Sequence, residues 1–197
     1  MTSDTEAFDA NRLNWNDRAA LHSTRGTGYR LEEYVDDRAK LSDVVSFDLP
    51  LLGSVEGMRG VHLQCHIGTD TLSLARLGAK MTGLDFSPVA IDAARTLVAE
   101  TGDPVEFVEA DVYSALEVLP RAGFDLVYTG IGAICWLPRI AEWAEVVAGL
   151  LAPGGRLFMR EGHPVLWSLD NENTEVLSLR YPYFERSEPN AWDDEES

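Results

Sequence analysis

Val61 to Arg95 reads VHLQCHIGTDTLSLARLGAKMTGLDFSPVAIDAAR, and this stretch decides the fold. Val61–Gln64 is a short strand, followed by a turn at His66–Ile67–Gly68. Thr69–Leu77 has helical composition and is stopped by Gly78. Lys80–Leu84 is a second strand, ending at Asp85; Ser87 can then cap, and Pro88 start, a helix running to about Glu100.

The same alternation continues toward the C-terminus. Val105–Val108 is a third strand, followed by Ala110–Asp111 and a short helix ending before Pro120. Phe124–Tyr128 (FDLVY) is a fourth strand, and its unbroken apolar character suits burial on both faces. A loop with Gly130 and Gly132 leads to a helix over Pro138–Leu151; Pro153–Gly154–Gly155 is a turn, and Arg156–Met159 a fifth strand. Strands alternating with helices at such short spacings predict a doubly wound, mainly parallel α/β sheet of Rossmann-like type. Toward the N-terminus, Arg12–His22 and Leu31–Val45 read as helices, with Pro50 and Gly53 leading into a connection. The expected division is a helical cap over 1–55, the core over 56–165 and an extension over 166–197, in one domain overall. Within the extension, Asn171–Thr174 reads as a loop and Glu175–Tyr181 as one more strand.

Sixteen basic against thirty-three acidic residues leave a net charge of −17. The Lys and Arg residues are scattered singly, so nucleic acid and anionic membrane surfaces are disfavoured as partners. Asp4, Glu6 and Asp9 near the start, and Asp193, Asp194, Glu195 and Glu196 at the end, are read as solvated tails. Cys65 and Cys135 have no metal-ligand spacing, so no metal is expected, and two lone thiols suit a reducing cytosol. With no signal-peptide pattern and no span-length apolar run, a soluble cytoplasmic protein is expected.

An open parallel sheet binds ligands at the carboxyl ends of its strands, where strand order reverses. The Gly68 turn and the helix start at Thr69–Asp70 offer free backbone N–H groups there, although one glycine alone also fits an ordinary strand-to-helix turn. Asp85 can accept hydrogen bonds from both ribose hydroxyls of a nucleoside, or cap the following helix. Asp111 can accept from an adenine amine while a neighbouring N–H donates to the ring; its alternative is an N-cap ahead of Tyr113. Thr129–Gly130–Ile131–Gly132 lets backbone carbonyls approach a ligand closely.

Taken in order, VHLQCHIG, GLDFSPVAIDAAR, VEFVEADV, FDLVYTGIGAICWLP and LLAPGGRLFM resemble the motifs of class I S-adenosylmethionine-dependent methyltransferases. The resemblance spans about Gly60 to Glu161, roughly half the chain. It implies S-adenosylmethionine as cofactor and a small-molecule methyl acceptor. It also implies that Cys65, His66 and Gly68 cradle the methionine part, Asp85 binds the ribose, Asp111 and Val112 hold adenine, Gly130 faces the amino group, and Phe86 belongs to the cofactor site. The first motif departs from the family pattern. His62 stands where an acid is common, and Gln64 and His66 stand where glycines are common; in this it is similar to a bacterial subset with an HLQCH-type motif. The family's C-terminal hairpin strands are expected to be incomplete, leaving an edge for the tail or a homodimer partner to cover.

For the acceptor side, the candidates are Trp136 after the fourth strand, Glu161 after the fifth, and Trp15, His22 and Tyr29 in the cap. His163 is the candidate base because imidazole titrates near neutrality, with a structural role before Pro164 as its alternative. Two rival readings remain: a non-catalytic nucleoside-binding protein, and an NAD(P)-dependent oxidoreductase, which should carry a G-x-G-x-x-G turn that this chain lacks.

Overall fold

The computed structural model describes residues 4–170, 172, 173 and 175–184. Among them, five strands form one parallel sheet: β1 (Arg59–Leu63), β2 (Lys80–Asp85), β3 (Glu106–Glu109), β4 (Phe124–Thr129) and β5 (Leu151–Met159). The order is β3-β2-β1-β4-β5, so the chain winds outward from β1 in one direction and then from β4 in the other. The crevice between β1 and β4 is therefore the switch point, where loops after both strands open outward.

Side-chain alternation divides the core between two layers. Val61 and Leu63 of β1 and Val127 of β4 face α7 (Ile140–Leu150), packing on Trp143, Val146 and Leu150. Leu126 and Tyr128 belong to the opposite layer, with Leu74 of α4 (Thr69–Arg76) and Val45 and Leu52 of α3 (Asp43–Leu52). His62 shares that second layer, with its Nδ1 2.9 Å from Thr71 Oγ1. Helix α5 (Pro88–Thr101) closes the β2–β3 side and carries α1 (Asp4–His22) against it, and the one-turn α6 (Ala115–Val118) follows β3. The Ser87 hydroxyl accepts from Ala90 N at 3.1 Å, so the Ser-Pro helix start forms as read.

Several expectations are corrected. Asp4 begins α1 and Glu6 and Asp9 lie within it, so the N-terminal acids are helical rather than a loose tail. The 31–45 helix is two helices, α2 (Leu31–Asp36) and α3, with Pro50 inside the last turn of α3. The interruption has a tertiary cause: the Arg76 guanidinium donates to the carbonyls of Tyr34, Asp37 and Lys40, satisfying oxygens that a continuous helix would have used. Helix α7 starts at Ile140, not Pro138. Strand β5 begins at Leu151, and the Pro153–Gly155 turn is a bulge within it, pairing jumping from Phe124–Leu151 to Leu126–Arg156. After β5 comes a short helix, α8 (Pro164–Ser168), and 175–181 supplies only an isolated antiparallel bridge, Leu169 to Leu179, instead of a strand. Asn171 and Thr174 of the loop, and the acidic residues 193–196, lie outside the described residues.

Candidate functional site

The turn after β1 is built from three successive departures from ordinary backbone. Gln64 (φ 57°), His66 (φ 49°) and Gly68 (φ 79°) all adopt left-handed conformations. The compact turn is held by Cys65 N–H donating to Leu84 O (3.0 Å) and Gly68 N–H donating to Cys65 O (3.0 Å). Gly68 is required for two reasons: its positive φ, and a Cβ that would lie 2.6 Å from the Phe107 ring. Cys65 turns its thiol inward among Ile91, Ala94 and Phe107, so only its backbone faces the crevice side. Burial pushes that thiol well above its ordinary pKa.

Asp85 ends β2 directly beside this turn. One carboxylate oxygen accepts His66 N–H at 2.8 Å and the other accepts Ser87 N–H at 2.9 Å. Burial raises its pKa to about 6, opposed by the amides of Ser87, His66 and Phe86. A carboxylate offers about four acceptor positions, so the His66 and Ser87 hydrogen bonds, with the Phe86 amide alongside, still leave acceptor capacity for a hydroxyl donor. Next to it, Phe86, Glu109, Ala110 and Asp111 form one wall of a cleft of about 180 Å³, and Phe8, Asp9 and Arg12 of α1 form the other. Asp111 also accepts Tyr113 N–H at 2.8 Å, so it caps the turn after β3 while lining the cleft. The Val112 side chain is core, which leaves its backbone as the part available to a ligand.

Rings gather over the turn from the other side. Trp15 of α1 meets the His66 ring edge-on at 5.2 Å and Trp136 at 5.5 Å. His22 Nδ1 lies 2.9 Å from His66 Nε2, and Tyr29 packs on both imidazoles. Burial, with smaller contributions from His22 and Arg18, holds the His66 pKa down to about 3. His22 is lowered too, by burial first and Arg18 second, so this pair shares a hydrogen bond between neutral rings. The structure thus brings Trp15, His22, Tyr29, His66 and Trp136 together.

The loop after β4 is gripped from beneath. Glu161 accepts the N–H groups of Gly132 (3.0 Å), Ala133 (2.6 Å) and Ile134 (2.7 Å). Its carboxylate therefore faces backbone amides. Gly130 sits against buried polar groups; a Cβ there would be 3.5 Å from Asp70 Oδ2 and 3.7 Å from His62 Nε2. Burial raises Asp70 to about 6, with Asp48 adding to the effect. His62 is held down to about 3 by burial alone, and its ring packs on Tyr128. His163 is exposed and caps α8, its Nδ1 accepting from Val165 N at 3.3 Å.

A family described as methyltransferase domain matches residues 61–157. A ubiquinone biosynthesis O-methyltransferase of Photorhabdus laumondii is 32% identical over 114 residues, covering 58% of this chain and 47% of that protein. A solved S-adenosylmethionine-dependent methyltransferase of Mesorhizobium loti superposes with a TM-score of 0.54 at 28% identity, covering 62% of this chain and 56% of the other. Residues 61–157 thus form a methyltransferase domain of the class I S-adenosylmethionine-dependent type. The chain spans about half the length of the curated relatives it matches. A [4+2]-cyclase, 25% identical with a TM-score of 0.51 over 59% of this chain, shares the same scaffold.

Among the described residues, no helix is long and apolar enough to cross a membrane, and no cluster of three His, Cys, Asp or Glu could hold a metal. Sequence reasoning passed over Phe8, Asp9, Arg12 and Asp70. The first three belong to the stretch read as tail and helix start. A signal for them existed, since Phe8, seven residues before Trp15 and eleven before Ala19, continues one helical face backward beyond the assigned start. Asp70 carried none, because an acid at a helix N-terminus is ordinary.

Proposed function

We propose that this chain transfers a methyl group from S-adenosylmethionine to a small-molecule acceptor by in-line displacement at the β1–β4 crevice. The observation that carries the reading is Asp85, fixed by the His66 and Ser87 amides at the end of β2 and followed directly by Phe86, which lines a cleft with Asp111. Those residues fit a nucleoside: Asp85 would take the ribose hydroxyls, Phe86 would flank the base, and Asp111 with the Val112 amide would read the adenine edge. Cys65, His66 and Gly68 would cradle the methionine part through their backbone, and the Gly130 carbonyl would approach its amino group.

The bound cofactor supplies an electrophilic methyl on a sulfonium, so the chain's own work is binding, orientation and exclusion of water. Trp15, His22, Tyr29 and Trp136 would wall the acceptor space, and Glu161 would hold the β4 loop at its rim. His163 would serve as base only for an acceptor that must lose a proton, and only after releasing its cap. An aromatic hydroxyl is the acceptor class to test first. The relatives are named O-methyltransferases of ubiquinone biosynthesis, and the wall is a set of rings. The acidic net charge of −17 supports a small molecule over nucleic acid, and the free thiols Cys65 and Cys135 suit a reducing cytoplasm. Strand β5 ends the sheet with Leu157 and Met159 exposed, which supports a homodimer across that edge.

One observation favours a second reading, nucleoside binding without turnover. Glu161 is engaged by three amides and His163 by a cap, so neither candidate stands free as a base. Incubation with S-adenosylmethionine and a panel of phenols and catechols separates the two. Acceptor-dependent formation of S-adenosylhomocysteine is expected; binding of the cofactor with no product from any acceptor class would favour the second.

A further inference from the structure

Gln64 follows the last residue of β1 and holds a left-handed backbone (φ 57°), a conformation that costs a glutamine and would cost a glycine little. Strain of this kind persists where the side chain is needed. That side chain crosses from the β1 turn to the β4 loop, where Nε2 donates to the Ala133 carbonyl at 2.9 Å. Because a carbonyl can only accept, this contact fixes the amide orientation and leaves Oε1 as a free acceptor. Oε1 is buried and has no hydrogen-bond partner among the described residues. A buried acceptor without a donor is costly, and native proteins rarely leave one.

Six backbone donors of the turn and the β4 loop are already engaged. The N–H groups of Gly132, Ala133 and Ile134 all go to Glu161. In the turn itself, Cys65 N–H goes to Leu84 O, His66 N–H to Asp85 and Gly68 N–H to Cys65 O. The missing donor lies outside the described residues. The surroundings favour a cationic one, since the Asp85 and Asp70 carboxyls flank the turn and the Gly130 loop.

Resting on the methyltransferase reading, we propose that Gln64 Oε1 accepts a hydrogen bond from the α-ammonium group of the methionine half of S-adenosylmethionine. This makes Gln64 a side-chain determinant for the amino-acid end of the cofactor, at a position where the backbone alone would favour glycine.

The test compares S-adenosylhomocysteine with 5′-methylthioadenosine, which keeps the adenine and ribose but lacks the amino-acid end. Both are titrated calorimetrically into the full chain and into Gln64→Gly, a substitution that the φ of this position favours and that therefore should fold. The expected result is a loss of roughly tenfold or more for S-adenosylhomocysteine and less than twofold for 5′-methylthioadenosine. A desamino analogue of S-adenosylhomocysteine should bind wild type and Gln64→Gly alike. Equal losses on both ligands would make Gln64 a loop support only, and no loss on either would mean that water is its partner; each overturns the proposal. If wild type binds neither ligand, the methyltransferase reading itself has failed, an outcome distinct from a wild type that binds both without using Gln64.

Discussion

The Glu161 carboxylate accepts the Ala133 N–H at 2.6 Å, joining the end of β5 to the loop after β4. Gly132 and Ile134 donate to the same carboxylate, so one side chain satisfies three consecutive amides. Glu161→Gln replaces one accepting oxygen with an NH₂ group that cannot accept and that opposes an amide N–H. The expected cost is about 1–3 kcal/mol of stability, with faster hydrogen exchange at residues 132–134. Urea unfolding and amide exchange measure both; unchanged exchange at those three amides would contradict the arrangement.

Gly68 offers only its backbone to the proposed ligand cradle, and its absent side chain points into the core. A Cβ there would meet Phe107 at 2.6 Å and the Ala94 methyl carbon at 2.8 Å, at a φ of 79°. Gly68→Ala should therefore lower global stability by about 2–4 kcal/mol, before any effect on cofactor binding. Thermal unfolding of the ligand-free protein checks this. A loss confined to ligand affinity would assign Gly68 to the site instead.

Asp70 sets one part of the pH dependence. Burial raises its folded pKa to about 6, above the ordinary 3.8. Between those values the folded state holds more protons than the unfolded one, so this contribution to stability is present below about pH 3.8 and is lost as pH rises toward 6. Asp70→Asn should remove that loss, gaining on the order of 1–3 kcal/mol at pH 7 relative to its effect at pH 4. Urea titrations of both proteins at the two pH values test the sign.

The buried imidazoles act in the opposite direction. His62 and His66 are both held near pKa 3 by burial, below the ordinary 6.5. A neutral buried His contributes stability above about pH 6.5, and that contribution falls away as pH drops toward 3, by up to about 1.4 kcal/mol per pH unit for each ring. Their imidazole resonances should stay those of the neutral form from pH 8 to pH 5 in the folded protein. Titration of either near pH 6.5 would show that the ring is wetter than its packing implies.

Much of this was legible because local signals agreed with one another. FDLVY could only be a strand buried on both faces, and Ser87–Pro88 announced the start of α5 with a cap that the structure forms. Asp85 and Asp111 were legible as acids at strand ends, positions where a parallel sheet meets its ligands. The break between α2 and α3 was not, because Arg76, far along the chain, supplies the donors that terminate α2. Glu161 stood out only as an acceptor-side candidate after the fifth strand; its three amide partners depend on a loop fold that spacing does not encode. Likewise, Gln64 stood out in the sequence only as a missing glycine; its orphaned oxygen exists because Ala133 happens to fix the other end of the amide.

The central claim is that Asp85 anchors S-adenosylmethionine, and calorimetric titration of wild type and Asp85→Ala with S-adenosylmethionine and with NADPH tests it most directly. The account predicts micromolar-range binding of S-adenosylmethionine to wild type, at least tenfold weaker in the variant, and no binding of NADPH. Undiminished affinity in a folded Asp85→Ala, or binding of NADPH alone, would contradict it.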